Sequence, residues 1–380
     1  MSASARLGAA GFALIAVTYG LARFAFGLFL PAIRDDLSMS ATVGGVIAGG
    51  SFLGYCLAIV LSAWLTERWG PRPVATAAGA VATVGLALIA AAPNAAVLAA
   101  AVLLAGTSTG LASPPLAAAV ATALPSGLRD SVNTIINAGT SAGLALSGPA
   151  ALFLGGSWRG CYALFALAAA LVTFSIWMSV PARAGGQSFA WPHVPAWSAD
   201  LGRLVAACLM TGAASTAVWT FGGDLASRNL GWSSQQVGSL WVAIGVAGIA
   251  GASAGALARQ IGLAAAICMA LAVLALGTVL VGWPATTASL VLAGGLLAGV
   301  AYVMLTGLFL VWGTRAVPDR PATGVTVAFL AIAVGQTAGA PLFGALLDAA
   351  GAAPAVGVFA GLAAAAVPVA RHSPAGARTA

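Results

Sequence analysis

The sequence has no lysine; all 15 of its basic residues are arginine. A phosphate-binding loop of the Gly-x-x-x-x-Gly-Lys kind is therefore excluded, and with it ATP-driven work by this chain alone. Charge of either sign is scarce. Charged residues make up 6% of the chain, against about 25% in a soluble domain. Hydrophobic residues make up 61%, and the mean hydropathy is +1.03. This excludes a soluble globular protein and implies an integral membrane protein whose first partner is the lipid bilayer. The net charge of +7 does not point to nucleic acid, because the arginines sit at the ends of apolar runs, where topology determinants lie. The two histidines, His193 and His372, fall in connecting or terminal segments, and Cys56, Cys161, Cys208 and Cys268 lie singly in apolar runs. No metal site, disulfide framework or cofactor is expected. Without paired carboxylates or a His-centred triad in the spans, an enzyme is not expected either.

What the chain does have is long apolar runs. About 20 apolar residues cross the hydrocarbon, so 380 residues hold roughly twelve spans. The first runs from Leu7 and ends at Pro31. Arg6 precedes it as in a signal peptide, but no small-residue cleavage site interrupts it, so it is read as a span. Prolines at Pro114-Pro115 interrupt the fourth span, and Glu67 to Arg72 forms a charged loop after the second. Pro181 to Asp200 reads as a linker, rich in Pro, Gly and Ser. It divides the chain into a bundle at 1–180, the linker at 181–200 and a bundle at 201–380. With the N-terminus in the cytoplasm, eleven arginines fall inside (Arg6, Arg68, Arg72, Arg129, Arg183, Arg203, Arg259, Arg315, Arg320, Arg371 and Arg378). Three (Arg34, Arg159 and Arg228) fall outside, so both termini are expected to be cytoplasmic.

The two parts repeat. Leu37-Ser-Met-Ser40 matches Leu230-Gly-Trp-Ser233, Val43-Gly44 matches Val237-Gly238, and Gly70 matches Gly262, at offsets of 193, 194 and 192. Gly139-Thr-Ser-Ala-Gly143 resembles Gly335-Gln-Thr-Ala-Gly339. Four matches in one order indicate two parallel six-helix halves, a plan that places transport sites at the midplane between them.

Ala63-Trp-Leu-Thr-Glu67-Arg68-Trp-Gly70-Pro-Arg72 resembles the loop after the second span of the major facilitator superfamily, Gly-x-x-x-Asp-Arg-x-Gly-Arg-Arg/Lys. Here Glu67 stands for the acid. The second copy, Gly255 to Gly262, has none. Gly148-Pro149 in the fifth span resembles the glycine-proline signature of family antiporters. The fourth span lacks the arginine common in the family's drug/proton antiporters. The Thr18 to Pro31 stretch resembles a group of bacterial members. The resemblance implies an all-α fold of twelve transmembrane helices in two pseudo-symmetric six-helix bundles. It implies a secondary transporter moving a small organic solute by alternating access. The alternatives are a proton-coupled drug or metabolite exporter and a transporter-like receptor. Glu67, Arg68, Gly70, Arg72, Gly148 and Pro149 would serve gating. A monomer is expected.

Arg23 is the strongest site candidate: a charge inside a span is costly and functional by default. A guanidinium there fits an anionic or hydrogen-bond-accepting solute. On an α-helix Tyr19, Arg23 and Phe26 share a face. Thr211, Ser215 and Trp219 recur every four residues in the seventh span. Asn133 and Asn137 in the fifth, Tyr302 and Thr306 in the tenth and Gln336 in the eleventh complete the candidates for substrate contact. No carboxylate lies at mid-membrane, so Asp224 is the candidate proton carrier by elimination. The repeat offset of 193 sets Asp224 level with Pro31, about 12 Å along the axis from Arg23. A structural Arg23–Asp224 pair is then barely within reach, and the substrate role for Arg23 is preferred.

Overall fold

A chain this apolar must satisfy its backbone within each span, because lipid offers no hydrogen bonds. In the computed structural model, which describes residues 3–182 and 197–371, every regular element is accordingly helical. Helix α1 is built of three pieces, Ala3–Ile15, Ala16–Phe24 and Phe26–Asp36. Then follow α2 (Ala41–Trp69), α3 (Pro71–Ala91), α4 (Ala95–Ala123), α5 (Ser126–Phe153) and α6 (Trp158–Ser179). Helix α7 is broken into Ala199–Trp219 and Gly222–Leu230, and α8 into Ser234–Ala250 and Ala254–Ile261. The last four are α9 (Leu263–Gly282), α10 (Ala288–Ala316), α11 (Pro321–Ala350) and α12 (Ala352–Ala370). Most of the expected linker, with Arg183, Trp191 and His193, lies outside the described residues, as do His372 and Arg378.

Ten of these helices are long and apolar enough to cross a membrane, and the two pieces of α8 make an eleventh if taken as one span. The twelfth, α5, has the length at 28 residues but is more polar. It packs between α1 and α8, so Ser141 and Ser147 meet protein rather than lipid.

Several boundaries differ from those read in the sequence. Pro31 lies inside α1, which continues to Asp36, and α4 runs unbroken through Pro114-Pro115. Proline removes one backbone donor, and neighbouring helices make this tolerable in membrane proteins. The supposed charged loop after α2 is a single residue. Gly70, at φ +86°, reverses the chain, which puts Glu67 and Arg68 in the last turn of α2.

The halves repeat in detail. Ser40 and Ser233 cap α2 and α8, and Asn94 and Thr287 cap α4 and α10, each accepting a backbone N–H from three residues on. Gly70 and Gly262 make the same positive-φ turn. Gly106 in α4 lies against the Ser51 carbonyl of α2 so closely that a Cβ would collide with it, and Gly299 in α10 does the same to Ile244 of α8. Both pairs are related by the same 193 positions.

Because spans alternate, the first helix begins and the last ends on one side, here called the termini side. The far side is sealed by contacts between the halves. Ala41, Gly45 and Gly49 of α2 abut Gly344, Ala340 and Thr337 of α11, and Ser141, Ala145 and Gly148 of α5 abut Gly248, Gly245 and Gly238 of α8. Small residues let these backbones approach closely. Polar ties reinforce them. Arg34 of α1 pairs with Asp224 of α7 at 2.5 Å, and Asp224 also takes Arg228 at 2.7 Å. Asp348 of α11 accepts the first N–H groups of α2, from Ala41 at 3.0 Å and Thr42 at 2.7 Å. A carboxylate at a helix N-terminus is favoured by the dipole as well as by these bonds.

Candidate functional site

The middle of α1 is not an α-helix. The Ala25 N–H reaches back five residues to the Gly20 carbonyl at 3.0 Å, and Ala16–Phe24 forms a widened, π-helical stretch. Such turns concentrate at functional sites. Neighbours hold the altered backbone. The Thr109 hydroxyl of α4 donates to the Thr18 carbonyl at 3.0 Å, and the Trp241 indole of α8 donates to the Phe24 carbonyl at 3.2 Å. Gly20 crosses Gly143 of α5 at backbone contact.

The widened turn presents Arg23 to the interface between the halves, with 7% of the residue exposed. Among the described residues it forms no ion pair. Four rings surround its guanidinium instead: Tyr55 at 4.5 Å, Phe52 at 4.7 Å, Phe24 at 5.1 Å and Tyr19 at 5.9 Å from Cζ to ring centroid. Ring faces stabilise a desolvated cation by about 2 kcal/mol. Its Nη2 donates to Gln336 Oε1 at 2.9 Å, a bond from the first half to the second. Gln336 is held in turn, donating through Nε2 to the Tyr302 hydroxyl at 3.0 Å and Ser215 Oγ at 3.4 Å. Trp219 packs between Phe24 (4.7 Å, tilted) and Tyr302 (5.0 Å, edge-on). On the other flank, Tyr19 and Ser113 share a hydrogen bond at 2.9 Å. Arg23 Nε is buried and has no partner among the described residues.

A model of the Major Facilitator Superfamily matches residues 12–340. The chain belongs to this superfamily. Its fold is similar to that of the nucleoside transporter NupG, with a TM-score of 0.80 and 12% identity over 97% of this chain and 99% of that one. It is also similar to a bacterial homolog of the human lysosomal transporter Spinster in an inward-facing, unoccupied conformation (TM-score 0.72, 13% identity, 97% and 94% covered). A third is the human organic anion transporter MFSD10 (TM-score 0.67, 20% identity, 97% and 100% covered). At such identities the likeness is one of fold. No curated protein sequence matches. A superfamily member is a multi-pass membrane protein of the transporter fold, and the two six-helix bundles above are its two halves.

Of the residues singled out from the superfamily chain's sequence, Tyr19, Arg23, Ser215, Trp219, Tyr302 and Gln336 converge on one centre. Thr211 lies one turn from Ser215, buried, its hydroxyl without a partner among the described residues. Four others stand apart. Phe26 is buried in the apolar core and is not among the rings around Arg23, because the wide turn puts Phe24 there instead. The Thr306 hydroxyl bonds the Val303 carbonyl of its own helix. Asn137 is exposed and bonds the Asn133 carbonyl, again within one helix. Phe24, Phe52, Tyr55 and Ser113 join the site without having been singled out. One signal could have found Tyr55: the chain has only four tyrosines, and three of them, Tyr19, Tyr55 and Tyr302, lie here.

Asp224 is elsewhere, in the far-side seal. The expected offset is also corrected. Gly139 of α5 abuts Phe12 of α1 as Gly335 of α11 abuts Leu209 of α7, so α1 and α7 correspond at 197 positions. Asp224 is thus level with Gly27, and its carboxylate takes Arg34 rather than Arg23. On the termini side, Arg68 lies over Trp64 at 5.5 Å, and Arg72 donates to the Val180 carbonyl at 2.6 Å, tying α3 to the end of α6.

Proposed function

We propose that this chain is a secondary transporter that moves a small organic solute across the cytoplasmic membrane. It works by alternating access, the two halves rocking about a site at Arg23. One observation carries this reading: a buried guanidinium at the seam between the halves, held by rings and a carboxamide, with a hydrogen-bond donor still free. A group placed there at the expense of folding serves the solute. The arginine distribution supports cytoplasmic termini, and on that orientation the far-side seal is the closed outer gate. The Arg34–Asp224–Arg228 cluster, and Asp348 of α11 capping α2, act as the outer latch. Asp224, shared by both arginines, is the candidate group for proton coupling. Glu67, with Arg68, Gly70 and Arg72, serves the inner gate, and the tight Gly148 contact, with Pro149 beside it, is a pivot between α5 and α8.

The test has two parts. A thermal-shift screen of purified protein against a solute library identifies binders, since a ligand of the native state raises Tm. Flux of the best binder is then measured in proteoliposomes. Saturable flux supports a carrier, whereas binding without flux would make the chain a receptor. Reporter fusions at the C-terminus test the orientation, and external reporter activity there would overturn it.

A further inference from the structure

Resting on the carrier reading above, we propose that the solute is a monocarboxylate with a flat, aromatic body. On binding, its carboxylate displaces Gln336 from Arg23 and so breaks a tie between the halves.

The argument starts from one edge of the guanidinium. Nε and Nη2 lie side by side on that edge and together match the two oxygens of a carboxylate. Nη2 is engaged by Gln336 Oε1, while Nε is buried and unpartnered. A carboxamide offers one acceptor oxygen, so Gln336 satisfies half of an edge built for two. The Gln336 bond has a charged donor but a neutral acceptor, whereas a carboxylate meets both donors at once in a two-point contact and brings the counter-charge as well. Gln336 is thus a weak internal stand-in for the solute. When displaced it keeps its partners on the second half, Tyr302 and Ser215. What breaks is the bond from α1 to α11.

The surroundings define the rest of the solute. Arg23 forms no ion pair among the described residues, and Asp224 and Asp348 are engaged in the far-side seal. A second charge on the solute, an ammonium or another carboxylate, would be desolvated without a counter-charge. The walls are rings: Phe24, Trp219 and Tyr302 pack together in tilted and edge-on contacts, and Phe52 and Tyr55 close over the guanidinium. Flat apolar groups pack against such faces in offset or edge-on geometry.

The experiment titrates the purified full-length protein with benzoate, benzamide, benzamidine and phthalate, following tryptophan fluorescence and Tm. Benzoate should bind saturably and raise Tm. Benzamide, which has the same shape without the charge, should bind about tenfold more weakly or worse, and benzamidine and phthalate should not stabilise. In Gln336→Glu a fixed carboxylate occupies the edge, so Tm without ligand should rise and benzoate affinity should fall by about a hundredfold. In Gln336→Ala the edge is vacated, and benzoate should bind at least as tightly as in wild type while Tm without ligand falls. Absence of a saturable benzoate response in wild type, or equal affinity for benzamide, overturns the solute class. Wild-type benzoate affinity in Gln336→Glu overturns the displacement. If that variant does not fold, a loss of about tenfold or more in Gln336→Ala overturns it equally. Flux of the screened solute separates the two readings. Loss in Arg23→Gln with normal flux in Gln336→Glu leaves the carrier site standing and removes only the displacement. Normal flux in Arg23→Gln removes the site itself.

Discussion

Helices α1 and α7 occupy equivalent places in the two halves and depart from α-helical bonding at equivalent points. In α1 the Ala25 N–H reaches Gly20, and in α7 the Phe221 N–H reaches Thr216 at 3.3 Å, each a five-residue step. They then diverge. Helix α1 stays continuous through a widened stretch and carries Arg23. Helix α7 breaks and restarts at Gly222, with uncharged Thr220 as the counterpart of Arg23. Duplication thus supplied two deformable helices facing each other at mid-depth, and only α1 carries a charge at the equivalent position, Arg23 against Thr220. Helix α7 contributes Ser215 and Trp219, which steady Gln336 and the ring cluster. Pseudo-symmetry builds the frame, and the departure from it makes the site.

The comparison can be broken most severely at the crossing of α1 with α5. Gly20→Leu puts a side chain where the Gly143 backbone lies. Overpacking of this kind costs about 3 kcal/mol, so Tm should fall steeply and binding with it. A wild-type Tm would mean that the widened turn is not held there. Asp224→Asn should have the next largest effect. It removes a charge shared by Arg34 and Arg228 across the seal while keeping an acceptor. Arg228 is substantially exposed, so the loss is discounted to about 1–2 kcal/mol of the sealed state. Distances between spin labels on the far ends of the two halves should then show a larger open fraction. An unchanged distribution would remove Asp224 from the latch.

Trp241→Phe probes how the second half supports α1. It deletes one buried indole donor to the Phe24 carbonyl, worth about 1 kcal/mol net. A small fall in Tm with weakened solute binding is expected, and unchanged binding would show that the carbonyl does not position Arg23. The smallest effect is expected at Asn137. Its side chain bonds its own helix at an exposed position, so Asn137→Ala should change binding by less than about 0.5 kcal/mol. A large loss there would move the site toward the termini side of α5.

Much of the fold was legible because membrane helices announce themselves by length and the halves by repetition. Ser40 with Ser233 and Gly70 with Gly262 are visible in the sequence and recur as caps and turns in the structure. The site was legible where it rested on chemistry. A lone guanidinium in an apolar run is costly wherever it points, so Arg23 stood out. It was illegible where it rested on phase. Reading α1 with a regular helical period selected Phe26, and the five-residue step substituted Phe24. Nothing in Ala16–Phe24 marks a widened turn, because it is set by contacts with Gly143, Thr109 and Trp241 from three other helices. Asp224 was misplaced for a related reason: one offset was applied throughout, although α1 and α7 correspond at a slightly longer one.

The most direct test of the account compares counterflow of the screened solute by wild type, Arg23→Lys and Arg23→Gln in proteoliposomes, with Tm recorded for each. Lysine keeps the charge but loses the two-donor edge, and glutamine loses both. The account predicts partial flux in Arg23→Lys and flux reduced by about a hundredfold in Arg23→Gln, with Tm in both at or above that of wild type. Wild-type flux in Arg23→Gln would contradict it.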